Sequence, residues 1–154
     1  MEDSETDIER IRKFLEKSES DLVSARILLD KGQFGDSCYF SQQAAEKAVK
    51  AYLILKGKFL RIHTPSGKFS ESLEQEGKKW RKKLDKAKNS MKFLERYWIE
   101  PRYPDISLEQ YSEEKANHAL KKAKFVFNTL KKFLKEGYDI DFEKKSKNVK
   151  DKGE

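Results

Sequence analysis

Apolar side chains recur every three or four residues along almost the entire chain, and that spacing places them on one face of an α-helix. Ile8, Ile11, Leu15, Ser18, Leu22, Ala25 and Leu29 make the first such stripe, and Cys38, Ser41, Ala45, Ala48, Tyr52 and Leu55 the second. Phe69 and Leu73 support only a short third helix before Gly77. Trp80, Leu84, Ala87, Met91, Leu94 and Trp98 form a fourth stripe, which Pro101 closes. Ala116, Ala119, Leu120, Ala123, Val126, Phe127, Leu130, Phe133 and Leu134 carry the last helix to Gly137. The punctuation agrees with the stripes. Lys31-Gly32 and Lys56-Gly57 place a cation and a left-handed glycine where helices end. Asp36, Thr64 before Pro65, and Ser112 before Glu113-Glu114 read as helix starts. With three Pro, seven Gly and no alternating segment, the chain predicts an all-α, up-and-down bundle of four long helices plus one short helix. The expected domain spans residues 1–140, followed by a charged, loosely attached tail over 141–154.

Composition narrows the class of protein. Charged residues are 40% and apolar residues 36%, below the usual apolar share of roughly 45–50%. A chain this polar could be disordered, but 12% aromatics supply a core that disordered chains lack. One Cys excludes an internal disulfide and a cysteine-rich metal site, and favours a cytoplasmic protein. The longest apolar run, Ala51 to Leu55, is far short of a membrane span, and the acidic start is unlike a signal peptide. Residues 56–102 hold fourteen Lys/Arg against six acids. The run Lys78, Lys79, Arg81, Lys82 and Lys83 is either a solvated surface or a phosphate-tracking one. Trp80 within it falls on the core stripe, so it is not read as a base-stacking platform.

Familiar catalytic and cofactor motifs are missing. There is no phosphate-binding glycine loop, dinucleotide fingerprint, zinc-protease motif or paired-cysteine spacing, so no metal or cofactor is expected. His118 reads as a packed or surface histidine. His63 follows the second helix, two residues after Arg61, and is either local structure or part of a site. Gln42 and Gln43 lie mid-way along the helix expected to be most buried. Buried amides need partners, so one of them meets another helix, a second subunit or a ligand unless both project from the rim. Because that helix is apolar or amide-bearing on nearly every side, more than one thin bundle covers, a two-fold homodimer is expected.

The strings Asp21-Leu22, Ala25, Leu28-Leu29, Gly32-Gln33-Phe34 and Cys38-Tyr39-Phe40-Ser41-Gln42-Gln43-Ala44-Ala45-Glu46-Lys47-Ala48-Val49-Lys50-Ala51 resemble the HEPN domain family (higher eukaryotes and prokaryotes nucleotide-binding). The resemblance continues through His63-Thr64, Arg102-Tyr103-Pro104-Asp105 and Tyr111-Ser112, covering about residues 8–136. It implies a four-to-five-helix bundle of bacteria and archaea, commonly homodimeric. Many members of the family act beside a minimal nucleotidyltransferase as a toxin–antitoxin or related pair. Members that cut RNA carry an Arg, four to six residues, then a His, the Arg to hold phosphate and the His to move protons near neutral pH. Here Arg61 and His63 are too close and Arg102 and His118 too far apart, and positions 107 to 109 read Ser-Leu-Glu. The ribonuclease motif is absent. The resemblance therefore implies a non-catalytic module that binds a nucleotide, or RNA, or a nucleotidyltransferase partner. The candidate ligand-binding residues are Gln42, Gln43, Lys47, Arg61, His63, Arg102, Tyr103 and Asp105. The alternative is a ribonuclease or nucleotide-processing enzyme using His63 with Arg61 or Arg102. For Arg102-Tyr103-Pro104-Asp105 a structural role also stands, with Arg102 paired to Asp105 and the rings stacked on the bundle end.

Overall fold

The computed structural model describes residues 5–105 and 110–142, which form five α-helices and two 3-10 turns. They are α1 (Asp7–Asp30), α2 (Phe34–Leu55), α3 (Ser66–Leu73), α4 (Lys78–Leu94), the turns Glu95–Trp98 and Glu100–Arg102, and α5 (Glu113–Tyr138). The four long helices and the short third one match the periodicity. Among the described residues no helix is long and apolar enough to cross a membrane.

Helix ends follow local chemistry, with four departures from expectation. Thr6 and Glu9 form a reciprocal capping box at α1, and Ser112 accepts from the Lys115 N–H at α5. Gly32 and Gly57 take φ of 78° and 70° after α1 and α2, the left-handed turn that a side chain resists. Asp36 does not cap α2. The helix begins earlier, behind Gln33, and Asp36 sits in its first turn, where a negative charge still favours the helix dipole. Thr64 does not cap α3 either, since Pro65 occupies that position. Gly137 does not end α5, which continues to Tyr138 and turns through Asp139 at φ 54°. Ile8 leaves the α1 stripe and is 47% exposed, being one residue into the helix and beyond the reach of its neighbours.

α2 is the central rod. Its small residues face α1 so closely that hydroxyls bond across to the opposing backbone. Ser18 Oγ donates to the Ala44 carbonyl at 2.6 Å, and Ser37 Oγ to the Ala25 carbonyl at 2.7 Å. Along another face Tyr52 is buried between the rings of Phe69 and Phe133, at 5.1 and 5.6 Å. Ala44, Ala45, Ala48, Val49, Ala51 and Leu53 are wholly buried by the chain's own helices. Phe34, Tyr39, Phe40 and Leu55 on the same helix are half-buried. Beyond α5, Ile140 and Phe142 are buried, with Phe142 edge-on to Phe127. The charged tail from 143 to 154 and the Ser-Leu-Glu of 107 to 109 lie outside the described residues.

Candidate functional site

One edge of α2 carries a ladder of polar groups that starts at α1 and ends at the loop after α2. Asp21, 1% exposed on α1, takes ion pairs from Lys17 and Lys47, each at 3.2 Å. Lys47 also donates to Gln43 Oε1 at 3.0 Å, and Gln43 Nε2 donates to Gln42 Oε1 at 2.7 Å. Gln42, wholly buried, gives its amide to Glu46 at 2.9 Å and to the His63 carbonyl at 3.1 Å. Glu46 is 2% exposed and also accepts from Lys50 Nζ at 2.7 Å. The α2 members Gln42, Glu46 and Lys50, like Gln43 and Lys47, stand four apart, so helical geometry alone lines them up. Burying them is tolerable because each of these donors meets an acceptor, and ionised partners strengthen the bonds.

The ladder ends in an exposed group of rings and cations. His63 turns Nδ1 toward Glu46 Oε1 at 3.4 Å and stacks on Trp98, with centroids 4.4 Å apart and planes 18° apart. The His63 side chain is 48% exposed. Arg102 holds its Nε on the Trp98 carbonyl at 2.8 Å, and its guanidinium lies 5.1 to 5.6 Å from the rings of Tyr39, Trp98 and Tyr103. Nearby, Glu95 accepts both the N–H and the hydroxyl of Ser66 at 2.8 Å. Burial pushes the Glu95 carboxyl above its ordinary value, and Glu46 adds to this against the lowering by Ser66.

Of the residues singled out by sequence, Gln42, Gln43, Lys47 and His63 thus share one network, and Arg102 and Tyr103 join His63 through Trp98. Arg61 is not part of it; its guanidinium lies over Phe59 at 5.3 Å. Asp105 is exposed, and no ion pair joins it to Arg102 among the described residues. The structure adds Glu46, Asp21, Lys50 and Tyr39, of which Glu46, four residues from both Gln42 and Lys50, has a signal readable in the sequence. Trp98 departs from its expected place in the core. α4 ends at Leu94, and the tighter 3-10 turn breaks the α spacing, so Tyr97 takes the buried position and Trp98 turns outward. Trp80 packs edge-on against Phe133 at 5.4 Å, and His118 meets Phe93 edge-on at 5.1 Å. Lys78, Lys79, Lys82 and Lys83 are exposed along α4, while Arg81 is half-buried and pairs with Asp85 at 3.5 Å. Cys38 is wholly buried, which pushes its thiol up to about 12 and away from nucleophilic use. Among the described residues no cluster of three His, Cys, Asp or Glu could hold a metal ion.

Comparison with known proteins agrees with this architecture. A curated protein of Methanocaldococcus jannaschii named "Putative toxin MJ1304" is 39% identical over 149 residues, covering 91% of this chain and 98% of that protein. The crystal structure of TT1696 from Thermus thermophilus superposes with a TM-score of 0.62 over 80% of this chain and 97% of its own; at 24% identity it speaks for the fold alone. The crystal structure of ST0689, described as an archaeal HEPN homologue, gives a TM-score of 0.61 at 28% identity, covering 79% of this chain and 94% of its own. The sequence profile of the HEPN domain matches residues 11–133, from α1 almost to the end of α5, and the chain belongs to that family.

Proposed function

We propose that the chain is the HEPN member of a toxin–antitoxin-type pair, acting as a binding module for a nucleotide or a minimal nucleotidyltransferase partner rather than as a nuclease. The observation that carries the reading is the His63–Trp98–Arg102 group, with His63 and Arg102 exposed beside the half-buried Trp98 and His63 anchored on the buried Glu46 ladder. Flat rings offer stacking surface to a base, and the guanidinium is suited to a phosphate or a partner's carboxylate. The similarity to a protein named as a toxin supports the pair. Calorimetric titration with ATP, and co-purification with a minimal nucleotidyltransferase encoded beside the gene, test it. Arg102→Ala should weaken whichever binding is found by about tenfold, the loss of one charge-assisted hydrogen bond, and His63→Ala should weaken it through the loss of a stacking ring. Wild-type protein that takes up neither one overturns the reading.

The second reading, a ribonuclease using His63, is favoured by one contact: Nδ1 facing a buried carboxylate leaves the other ring nitrogen for a substrate, as in an oriented general base. Glu46 is already paired with Lys50, and Arg61 lies elsewhere, which weighs against it. RNA incubated with the wild type should be cut no faster than with His63→Ala. A clear activity that disappears in that variant would make the protein an enzyme.

A further inference from the structure

Charge is segregated by element. α4 and α5 together hold fifteen Lys/Arg against four acids, a net +11 where the whole chain carries +7. α1 holds six acids against five bases. α4 and α5 lie side by side and antiparallel, since Trp80 meets Phe133 near one end and Phe93 meets His118 near the other. Leu84, Ala87 and Met91 on α4, and Leu120, Ala123 and Phe127 on α5, are buried in the core, so the polar faces of both helices look outward. Lys79, Lys82 and Lys86 on α4 and Lys121 on α5 are exposed and have no ion-pair partner among the described residues.

This placement works against the helix that carries it. Lys78 and Lys79 open α4 with no acid in its first turn, at the positive end of the helix dipole. Lys78–Lys82, Lys79–Lys83 and Lys82–Lys86 are like charges four apart, each pair mildly repulsive. A bound polyanion relieves all of these at once. We infer that the α4–α5 face is a docking surface for a nucleic-acid duplex, gripped through its backbone phosphates.

Three observations select a duplex over other acidic partners. Fourteen of the fifteen cations are Lys, the residue that protein–protein interfaces avoid and Arg replaces. The rings on this face are already covered. Lys83 lies over Trp80 at 5.6 Å, and Arg96 and Lys122 lie over Phe93 at 3.9 and 5.0 Å. Phe125 is exposed, but one ring does not make the stacking track that single strands require. Finally, the 26 residues of α5 form a rod of about 39 Å. That length matches a full turn of duplex, roughly 34–36 Å.

Fluorescence anisotropy of the full chain with a labelled duplex of about two helical turns tests the inference, with the matching single strand and polyglutamate as competitors. The wild type should bind the duplex at about 50 mM salt and lose affinity linearly on a log–log salt plot. Lys79→Gln, Lys82→Gln, Lys86→Gln and Lys121→Gln combined should weaken binding at least about tenfold and lower the salt slope by about 0.9 for each phosphate no longer neutralised. The two halves of that set, tested as double variants, should each give part of the effect, and they carry the test if the quadruple variant does not fold. ATP or partner binding through His63 and Arg102 should be unchanged in all three, so failure here is separable from failure of the proposed function. No duplex binding by the wild type, an unchanged slope in the variants, or tighter binding of single strand or polyglutamate overturns the inference.

Discussion

Glu46 decides more than any other single residue. It gathers Gln42, Gln43, Lys50 and His63 on one carboxylate that is 2% exposed. Removing one partner of a buried ion pair leaves the other charge without compensation, at a cost of about 3–5 kcal/mol. Glu46→Ala should therefore lower stability by that order in a denaturant titration. It should also release His63 from Trp98, read as a change in the histidine ring resonances by NMR. Cys38 gives a second test at this scale. With its thiol pushed up to about 12 by burial, it should resist alkylation at pH 8 and react only as fast as the protein unfolds. Labelling at the rate of a free thiol would contradict the packing.

Among the elements, α3 is the least self-sufficient. It has eight residues and no cap of its own, and Glu95, 29 residues away, accepts the orphan N–H and the hydroxyl of Ser66 instead. That carboxyl is raised above its ordinary 4.5 chiefly by burial. A group held protonated more tightly in the folded state contributes fully below its unfolded value and loses that contribution as pH rises through its folded one. Wild-type stability should accordingly fall relative to Glu95→Gln as pH rises from the unfolded value near 4.5 through the higher folded one, as measured by melting both across a pH series. The left-handed turns supply the other test. Gly57→Ala, with open space around the new methyl but φ at 70°, should cost about 1 kcal/mol from backbone strain alone.

For the molecule as a whole, one polar clamp ties α2, the α3–α4 connection and the end of α5 together. Tyr52 and Lys56 both reach Glu76, at 2.5 and 2.6 Å, and Lys56 also reaches the Tyr138 hydroxyl at 3.3 Å. Burial, with Glu76 beside it, raises the Tyr52 hydroxyl. Burial works against the charge on Lys56, yet its bonds to Glu76 and Tyr138 outweigh this and raise it too. Both groups bind protons more tightly folded than unfolded, so their stabilisation is complete below about pH 10 and is lost above it. The melting temperature should drop steeply above that point, and Tyr52→Phe should make the drop shallower. The homodimer is a proposal at this scale, with the half-buried Phe34, Tyr39, Phe40 and Leu55 of α2 as its apolar candidates. Light scattering giving twice the chain's 18.1 kDa mass would establish it, and a monomer at tens of micromolar would end it.

The sequence by itself determined the helices, their order and most of their ends, because these depend on local spacing, caps and glycines. It also identified the chain's family, and it located His63, Gln42 and Arg102 as residues of interest. Only the tertiary structure decided what they meet. Glu46 has its Gln42 and Lys50 partners written in the helical spacing, and becomes the hub of a site because the loop after α2 brings His63 to it. Trp98 reads as core until the tighter turn rotates it onto His63. Arg61 reads as His63's companion until the chain carries it to Phe59. For Glu46 and Trp98 the deciding quantity is a contact between segments far apart in sequence, and for Arg61 it is the path of the loop across the bundle. Both are set by how helices pack rather than by how they form.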